Sequence, residues 1–391
     1  MPDNFAFYTS VYFGSIFAYI GIYLPFISIW LSGRGMTSLE IAILLSAPSF
    51  FRVIVTPIIG IWSDTKLDHR TAMLLGSWIT VIASIILLLT NEFFLLLLLI
   101  IVLQLATHSL IPLIEAKSLS DARIFGLDYG QMRLWGSLAF IAANISGGFI
   151  ITICGIESVV VMLIVASSFI LLTAYFLPHN SHSTIALRPD FRTGLLNIKT
   201  LLHRRWFLYI LIASGLIQSS HAAFYTFGTL HWRSFGISGD WVGILWSLGV
   251  IMEAGLFSIS GRLLTRIKPT GLIMIGGIGA IVRWTFMAFD PPFWSLFPLQ
   301  CLHAITFAAT HLGTINVIHN HVPATQSGAA QTISTALGSG ALMGLMTFLS
   351  GMLYDTLLGS TYAVMAGISG IGTIFLLHAA SQLKLEQKLQ A

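Results

Sequence analysis

The 391-residue chain carries a formal net charge of +4, and 56% of its residues are hydrophobic against only 9% charged, with a mean hydropathy of +0.87. No soluble fold with an ordinary hydrated surface has this composition, which leaves a protein that crosses the bilayer many times. The small positive excess reads as a topology signal and not as a nucleic-acid surface.

A helix needs roughly 20 apolar residues to cross a bilayer. Runs of that length recur at 5–31, 39–62, 71–90, 93–117, 129–153, 157–177, 206–231, 240–262, 269–289, 294–319, 326–350 and 359–382. The expectation is therefore an all-α membrane protein of twelve transmembrane helices. The first run lacks a basic leading region and a small-residue cleavage site, and it contains Pro25 and Trp30, so it reads as span 1 and not as a signal peptide. Cys154 and Cys301 are far apart at or within spans, and give neither a disulfide framework nor a metal-ligand spacing.

Charges inside apolar spans normally face a protein interior or a watery cavity, and read as functional. In chain order they are Arg52 in span 2, Glu115 in span 4, Arg133 in span 5, Glu253 in span 8 and Arg283 in span 9. Arg52 fits two roles equally, one in function and one in organising the helix bundle. Steps of three or four residues place side chains on one helical face. Span 5 presents Arg133, Ser137, Phe140 and Asn144 in this way, span 7 presents Gln218, His221 and Tyr225, span 8 Trp246, Val250 and Glu253, and span 10 Gln300, His303, Phe307 and His311. Each stripe alone also fits interhelical hydrogen bonding. Together they describe a partly wet cavity shared by the two halves, with aromatic walls and orienting polar groups.

The segment from Pro178 to Arg205 breaks the rhythm with Pro189, three histidines and five basic residues, and it separates six spans from six. The expected organisation is a bundle over 1–177, a cytoplasmic linker over 178–205 and a second bundle over 206–391. With a cytoplasmic amino terminus, fourteen of the nineteen Lys and Arg fall in inner loops and the carboxyl tail, and only Arg34 and Arg233 fall outside. The basic-residue bias therefore places both termini in the cytoplasm. Glycine clusters at Gly276, Gly277 and Gly279 and at Gly338 and Gly340 fit close helix packing better than a nucleotide loop. His319 and His321 have no further ligands beside them and read as interfacial.

The loop from Gly60 to Arg70, GIWSDTKLDHR, is close to the G-x-x-x-D-x-x-x-x-R/K signature of the major facilitator superfamily. Gly261 to Lys268 echoes it in the second half without the aspartate. Gly60, Asp64 and Arg70 are the expected conformational latch. Glycine permits close helix approach, and the carboxylate meets helix ends or basic groups. The stretches LDYGQMRLWGSLAF from Leu127, QSSHAAFY from Gln218, LWSLGVIME from Leu245 and QCLHAITFAATH from Gln300 resemble, in order and over nearly the whole length, the phenylpropionate permease family. That family is similar, more distantly, to the lactose permease group of proton symporters.

The resemblance implies secondary active uptake across the inner membrane by alternating access, with protons as the coupling ion. It maps a coupling cluster of span-8 glutamate, span-9 arginine and span-10 histidine onto Glu253, Arg283 and His303. One turn past its histidine the lactose permease group has a second carboxylate, and here that position is Thr306, so the proton route does not carry over whole. Glu115 and Arg133 match a substrate-binding pair of that group. A guanidinium in a cavity can grip a carboxylate or hydroxyls with two prongs. Three intramembrane arginines against two glutamates lean toward an anionic solute.

The expected substrate site comprises Arg133, Glu115, Phe140, Trp135, His221, Tyr225, Trp246, Gln300 and His311, with Phe224 as a further aromatic wall. An aromatic carboxylate such as 3-phenylpropionate fits both the arginine and the aromatic walls. A sugar or nucleoside fits the walls alone. No HExxH, paired-cysteine, GxSxG or phosphate-loop pattern supports an enzyme. A passive channel or a sensing receptor is the remaining class, and the two-halved repeat and loop latch favour a carrier. The expected partners are a small-molecule substrate, protons and the lipid bilayer, with no cofactor, no metal and no nucleic acid, and the chain is expected to act as a monomer.

Overall fold

The computed structural model describes residues 2–65, 69–177 and 191–390. Among the described residues the regular structure is helical, with no strand. Spans 1 to 6 are Pro2–Gly33, Ser38–Thr65, His69–Leu88, Phe93–Phe125, Tyr129–Cys154 and Ser158–Tyr175. Span 7 has two segments, Arg205–Ser219 and Ala222–Ser234, and span 8 is Gly239–Ser258 followed by the short helix Ser260–Arg266. Span 9 is Pro269–Met287, span 10 runs over Phe293–His321, and span 12 is Thr361–Gln390.

The apolar helical stretch Ser327–Leu383 has 57 residues. At 1.5 Å per residue that is about 85 Å, nearly three bilayer cores, so it cannot be one span. It breaks at Leu358–Ser360, where Leu358 adopts φ +47°, which makes Ser327 to Leu357 span 11 and completes the twelve expected. Span 4 outlasts its expected end at 117 by two turns. Lys117, one of the fourteen basic residues assigned to inner loops and the tail, is consequently buried in the helix with its Nζ 5.6 Å from the centre of the Phe5 ring. The linker expected over 178–205 contains the amphipathic helix Phe191–Leu202, while 178–190 lie outside the described residues.

Packing separates two compact units, Met1–His182 with Tyr225–Ser247, and Ser183–Phe224 with Leu248–Ala391. Among spans 1 to 6 of the first unit, span 1 is the most deeply buried, through residues such as Tyr12, Phe13, Phe26 and Trp30, and spans 3 and 6 leave apolar side chains such as Ile82, Val165 and Leu172 exposed. Exposure of that kind suits hydrocarbon, where a solvated face is not required. The hairpin 225–247 joins this unit through backbone contact with span 5. A Cβ on Gly148 would lie 2.2 Å from the carbonyl oxygen of Gly239, and one on Gly243 would lie 2.2 Å from that of Asn144. Only glycine lets these helices approach so closely. The Thr152 hydroxyl donates to Asp240 Oδ1 at 3.2 Å and accepts from the Asp240 amide at 3.1 Å, pinning the same junction.

Arg70 donates from Nε to the carbonyl of Leu177 and from Nη2 to that of Tyr175, both at 2.8 Å, so it caps the end of span 6 where carbonyls lack helical partners. Of its two companions in the expected latch, Gly60 and Asp64 fall where side-chain surroundings lie outside the described residues.

An added methyl at the hairpin junction has no room. Gly243→Ala should lower the stability of the purified protein by about 1–3 kcal/mol, seen as a lower melting temperature. Gly255→Ala, where nothing lies within 4 Å of the new Cβ, should leave it unchanged.

Candidate functional site

In the second unit, side chains of spans 7, 8, 9 and 10 gather around one fully buried cation. Arg283 is 0% exposed, and an unpaired charge at that depth is unsustainable. Its guanidinium therefore directs its donors at neighbours. Nη2 donates to Gln300 Oε1 at 2.9 Å, and Nη1 faces His303 Nδ1 at 3.2 Å and Thr306 Oγ1 at 3.3 Å. The rings of Trp284 and Phe224 lie 4.6 and 5.2 Å from its centre, supplying cation–π contact.

Arginine only donates, and this fixes the proton positions around it. His303 Nδ1 accepts, so the ring proton sits on Nε2, which faces Glu253 Oε2 at 3.4 Å. Thr306 Oγ1 accepts from Arg283 and lies 2.9 Å from His221 Nε2, which in a neutral ring that donates from Nδ1 is the accepting nitrogen. His221 Nδ1 then donates to the carbonyl of Gln218 at 2.9 Å. Two arms leave one cation, and the carboxylate of Glu253 at the end of one of them balances its charge. The expected trio Glu253, Arg283 and His303 is brought together, with His303 turning Nδ1 toward Arg283 and Nε2 toward Glu253.

Local backbone prepares this arrangement. Span 7 is interrupted at Ser220 and His221, which aims His221 into the cluster, and Ser220 Oγ accepts from Trp284 Nε1 at 2.8 Å. Span 10 widens to a π-helical turn over Ala304–Ala309. Such turns concentrate at functional sites. Mixed with ordinary α turns, the wide turn keeps positions four apart nearly in line, so His303, Phe307 and His311 stack with ring planes 11° and 8° from parallel.

The first unit holds the other expected pair. Arg133 Nε lies 3.7 Å from Glu115 Oε1, and their side chains remain 30% and 36% exposed. Phe17 of span 1 stacks on the guanidinium at 4.0 Å, and Phe13 lies 5.8 Å away. The ion pair is made through Nε. A Cβ on Gly136 would come 2.9 Å from Phe17 Cδ2 and 3.0 Å from Arg133 Nη1, so this glycine makes room for the stack.

Several expected wall residues lie apart from these charges. Phe140 is buried against span 1, where its carbonyl would sit 2.7 Å from a Cβ on Gly21. Trp135 is 58% exposed and lines a different groove, with Phe7, Leu138 and Phe169. Tyr225 and Trp246 stack on each other at 6.0 Å, and Trp246 Nε1 donates to Thr229 at 3.1 Å. Gln300 and His221 are buried inside the Arg283 cluster, and His311 is exposed. Arg52 lies within electrostatic reach of His108 on span 4. Sequence reasoning passed over Phe17, His108 and the relay role of Thr306. Phe17 is one aromatic among many in span 1, whereas Thr306 gave a signal as a hydroxyl in place of a carboxylate.

A chain of helical spans with charges held among them is the architecture of a membrane transporter, and its family and relatives make it one of the major facilitator superfamily. The chain belongs to the MFS_1 like family, whose model matches residues 6–364. It is 30% identical over 359 residues, 91% of this chain and 92% of the relative, to the probable 3-phenylpropionic acid transporter of Escherichia coli (strain K12). The maltose permease of Geobacillus stearothermophilus is 22% identical, over 95% of this chain and 93% of its own. Among solved structures, a mutant form of the nucleoside transporter NupG superposes with a TM-score of 0.86 at 18% identity, covering 96% of this chain and 99% of that one. A bacterial homolog of the human lysosomal transporter Spinster gives 0.74 at 14% identity, covering 97% and 96%. These relatives are transporters and not enzymes.

Thr306→Val keeps the shape of the side chain and removes the hydroxyl shared by Arg283 and His221. It should cost about 1–3 kcal/mol, because it leaves buried donors and acceptors unpaired. Thr306→Ser should recover most of that in a thermal melt.

Proposed function

We propose that this transporter is a proton symporter of the cell's inner membrane, importing a small aromatic carboxylate of the 3-phenylpropionate kind by alternating access. The observation that carries the reading is the contrast between its two arginines. Arg283 is fully buried and held by Gln300, His303 and Thr306, whereas Arg133 is 30% exposed with Glu115 3.7 Å from its Nε. An accessible guanidinium held flat by Phe17 suits two-pronged capture of a carboxylate, and Phe13 and Phe17 offer apolar surface beside it. The name of the 30%-identical relative supports an aromatic acid.

In this reading Glu253 is the proton site, His303 and Arg283 set its surroundings, and Arg133 with Glu115 anchors the solute. The halves 1–177 and 206–391 move about the linker 178–205, Arg70 with Gly60 and Asp64 acts as a latch, and both termini face the cytoplasm, as the basic-residue bias supports. The carrier acts as a monomer.

Purified protein in liposomes should accumulate labelled 3-phenylpropionate when an inward proton gradient is applied, and not uridine or maltose. Accumulation of either neutral solute, with no movement of the acid, would overturn the anion reading. Arg133→Lys keeps the charge and loses the fork, and should weaken apparent affinity roughly tenfold or more, about 1.4 kcal/mol or above; unchanged affinity removes Arg133 as the anchor. Glu253→Gln should abolish gradient-driven accumulation, and active, pH-insensitive accumulation by that variant sinks the proton-site assignment.

A further inference from the structure

Beside the Arg283 cluster the second unit contains a small polar cavity that the proposed mechanism does not use. Spans 7, 10 and 11 line it, with Gln218, His311, Thr314, Gln331, Ser334 and Thr335 among its walls. None of its lining residues is Lys, Arg, Asp or Glu. Uncharged hydrogen-bonding walls at membrane depth hold water and not hydrocarbon. Span 11 widens here into a second π-helical turn, Ala336–Leu342, which contributes Gly338 and Ser339 to the wall. Irregular backbone of this kind inside a membrane is tolerated where it lines a wet space or is buried in protein.

His311 is the one titratable side chain of the wall. It is exposed, whereas His221 and His303 are buried. Its ring continues the stack from His303 through Phe307, with centroid steps of 5.3 and 6.2 Å, toward the end of span 10 that carries His319 and His321. Phe257, one turn beyond Glu253 on span 8, meets the His311 ring edge-on at 6.5 Å. Glu253 is the charged group that acts on His311 electrostatically. Spans 7 and 11 face it with Gln218, Gln331, Ser334 and Thr335, which carry no charge.

We propose that His311 is the proton relay between Glu253 and this polar cavity, through which the coupling proton leaves after the solute is released. It rests on the proton-symport reading above. When the protonated carboxyl of Glu253 turns from His303 toward His311, the proton passes to one imidazole nitrogen, leaving a carboxylate and an imidazolium. The other nitrogen gives its proton to water in the cavity, and the imidazole is neutral again. Every proton is accounted for, and His303 stays held by Arg283 throughout.

The test compares modes of transport in liposomes with labelled 3-phenylpropionate. Gradient-driven uptake and net efflux require the carrier to lose its proton, whereas counterflow exchanges solute without net proton movement. His311→Asn should slow uptake and efflux roughly tenfold or more, while counterflow stays within about twofold of the native rate. Gln331→Leu, which dries the far wall of the cavity, should show the same split to a smaller degree, and it decides the matter if His311→Asn does not fold. Unchanged efflux in both variants overturns the relay. Equal loss of counterflow in folded His311→Asn protein also overturns it, and makes His311 a solute ligand. If native uptake ignores the proton gradient, the symport reading itself fails, an outcome seen before any variant is made.

Discussion

A guanidinium buried to 0% exposure constrains everything around it. Arg283 cannot lose its charge and cannot accept a hydrogen bond, so each neighbour must present a lone pair to it. That one-way demand orders Gln300, His303 and Thr306, and through them His221 and Glu253. A lysine there would be a flexible point charge with no planar fork for three acceptors on one helix face. The broken span 7 and the wide turn of span 10 are the backbone adjustments that bring those acceptors within reach.

The two units use the same residue type for different ends. Around Arg283 the protein itself supplies the partners, with a carboxylate 3.4 Å from the Nε2 of His303. Around Arg133 satisfaction is partial. Glu115 lies at 3.7 Å from Nε, one face is covered by Phe17, and the group is left accessible. Desolvation explains why such a division is workable. A fully desolvated charge must be permanently paired, so it belongs to machinery that stays in the protein, while a partly hydrated one can trade water for an incoming anion at lower cost. The coupling roles proposed for Glu253 and His303, and the anchoring role proposed for Arg133, follow this difference in burial.

Much of this was legible in the sequence because hydrocarbon is an unforgiving solvent. Twelve apolar runs marked twelve spans, and the rule that intramembrane charge is costly singled out Arg283, Glu253, Arg133 and Glu115 among only thirty-four charged residues. Periodicity placed His303 and Gln300 on one face with Phe307 and His311. What periodicity cannot give is which neighbour each face meets. Trp135 sits two residues from Arg133 and points into another groove, and Phe140 shares the stripe of Arg133 yet packs on span 1. The extension of span 4 past Lys117 was equally hidden, since a lysine at a span end reads as a loop residue until an aromatic ring is found beside it. Phe17 carried no mark at all, because an aromatic residue in an apolar helix is ordinary until a guanidinium stacks on it.

The most direct measurement is nitrogen-15 magnetic resonance of histidine-labelled protein in bilayers at neutral pH, with His303 and His221 assigned by substitution. The donor geometry of Arg283 at His303, and the carbonyl of Gln218 at His221, predict neutral rings with the proton on Nε2 of His303 and on Nδ1 of His221. The reverse tautomer at His303, or a doubly protonated His303 beside Arg283, would contradict it.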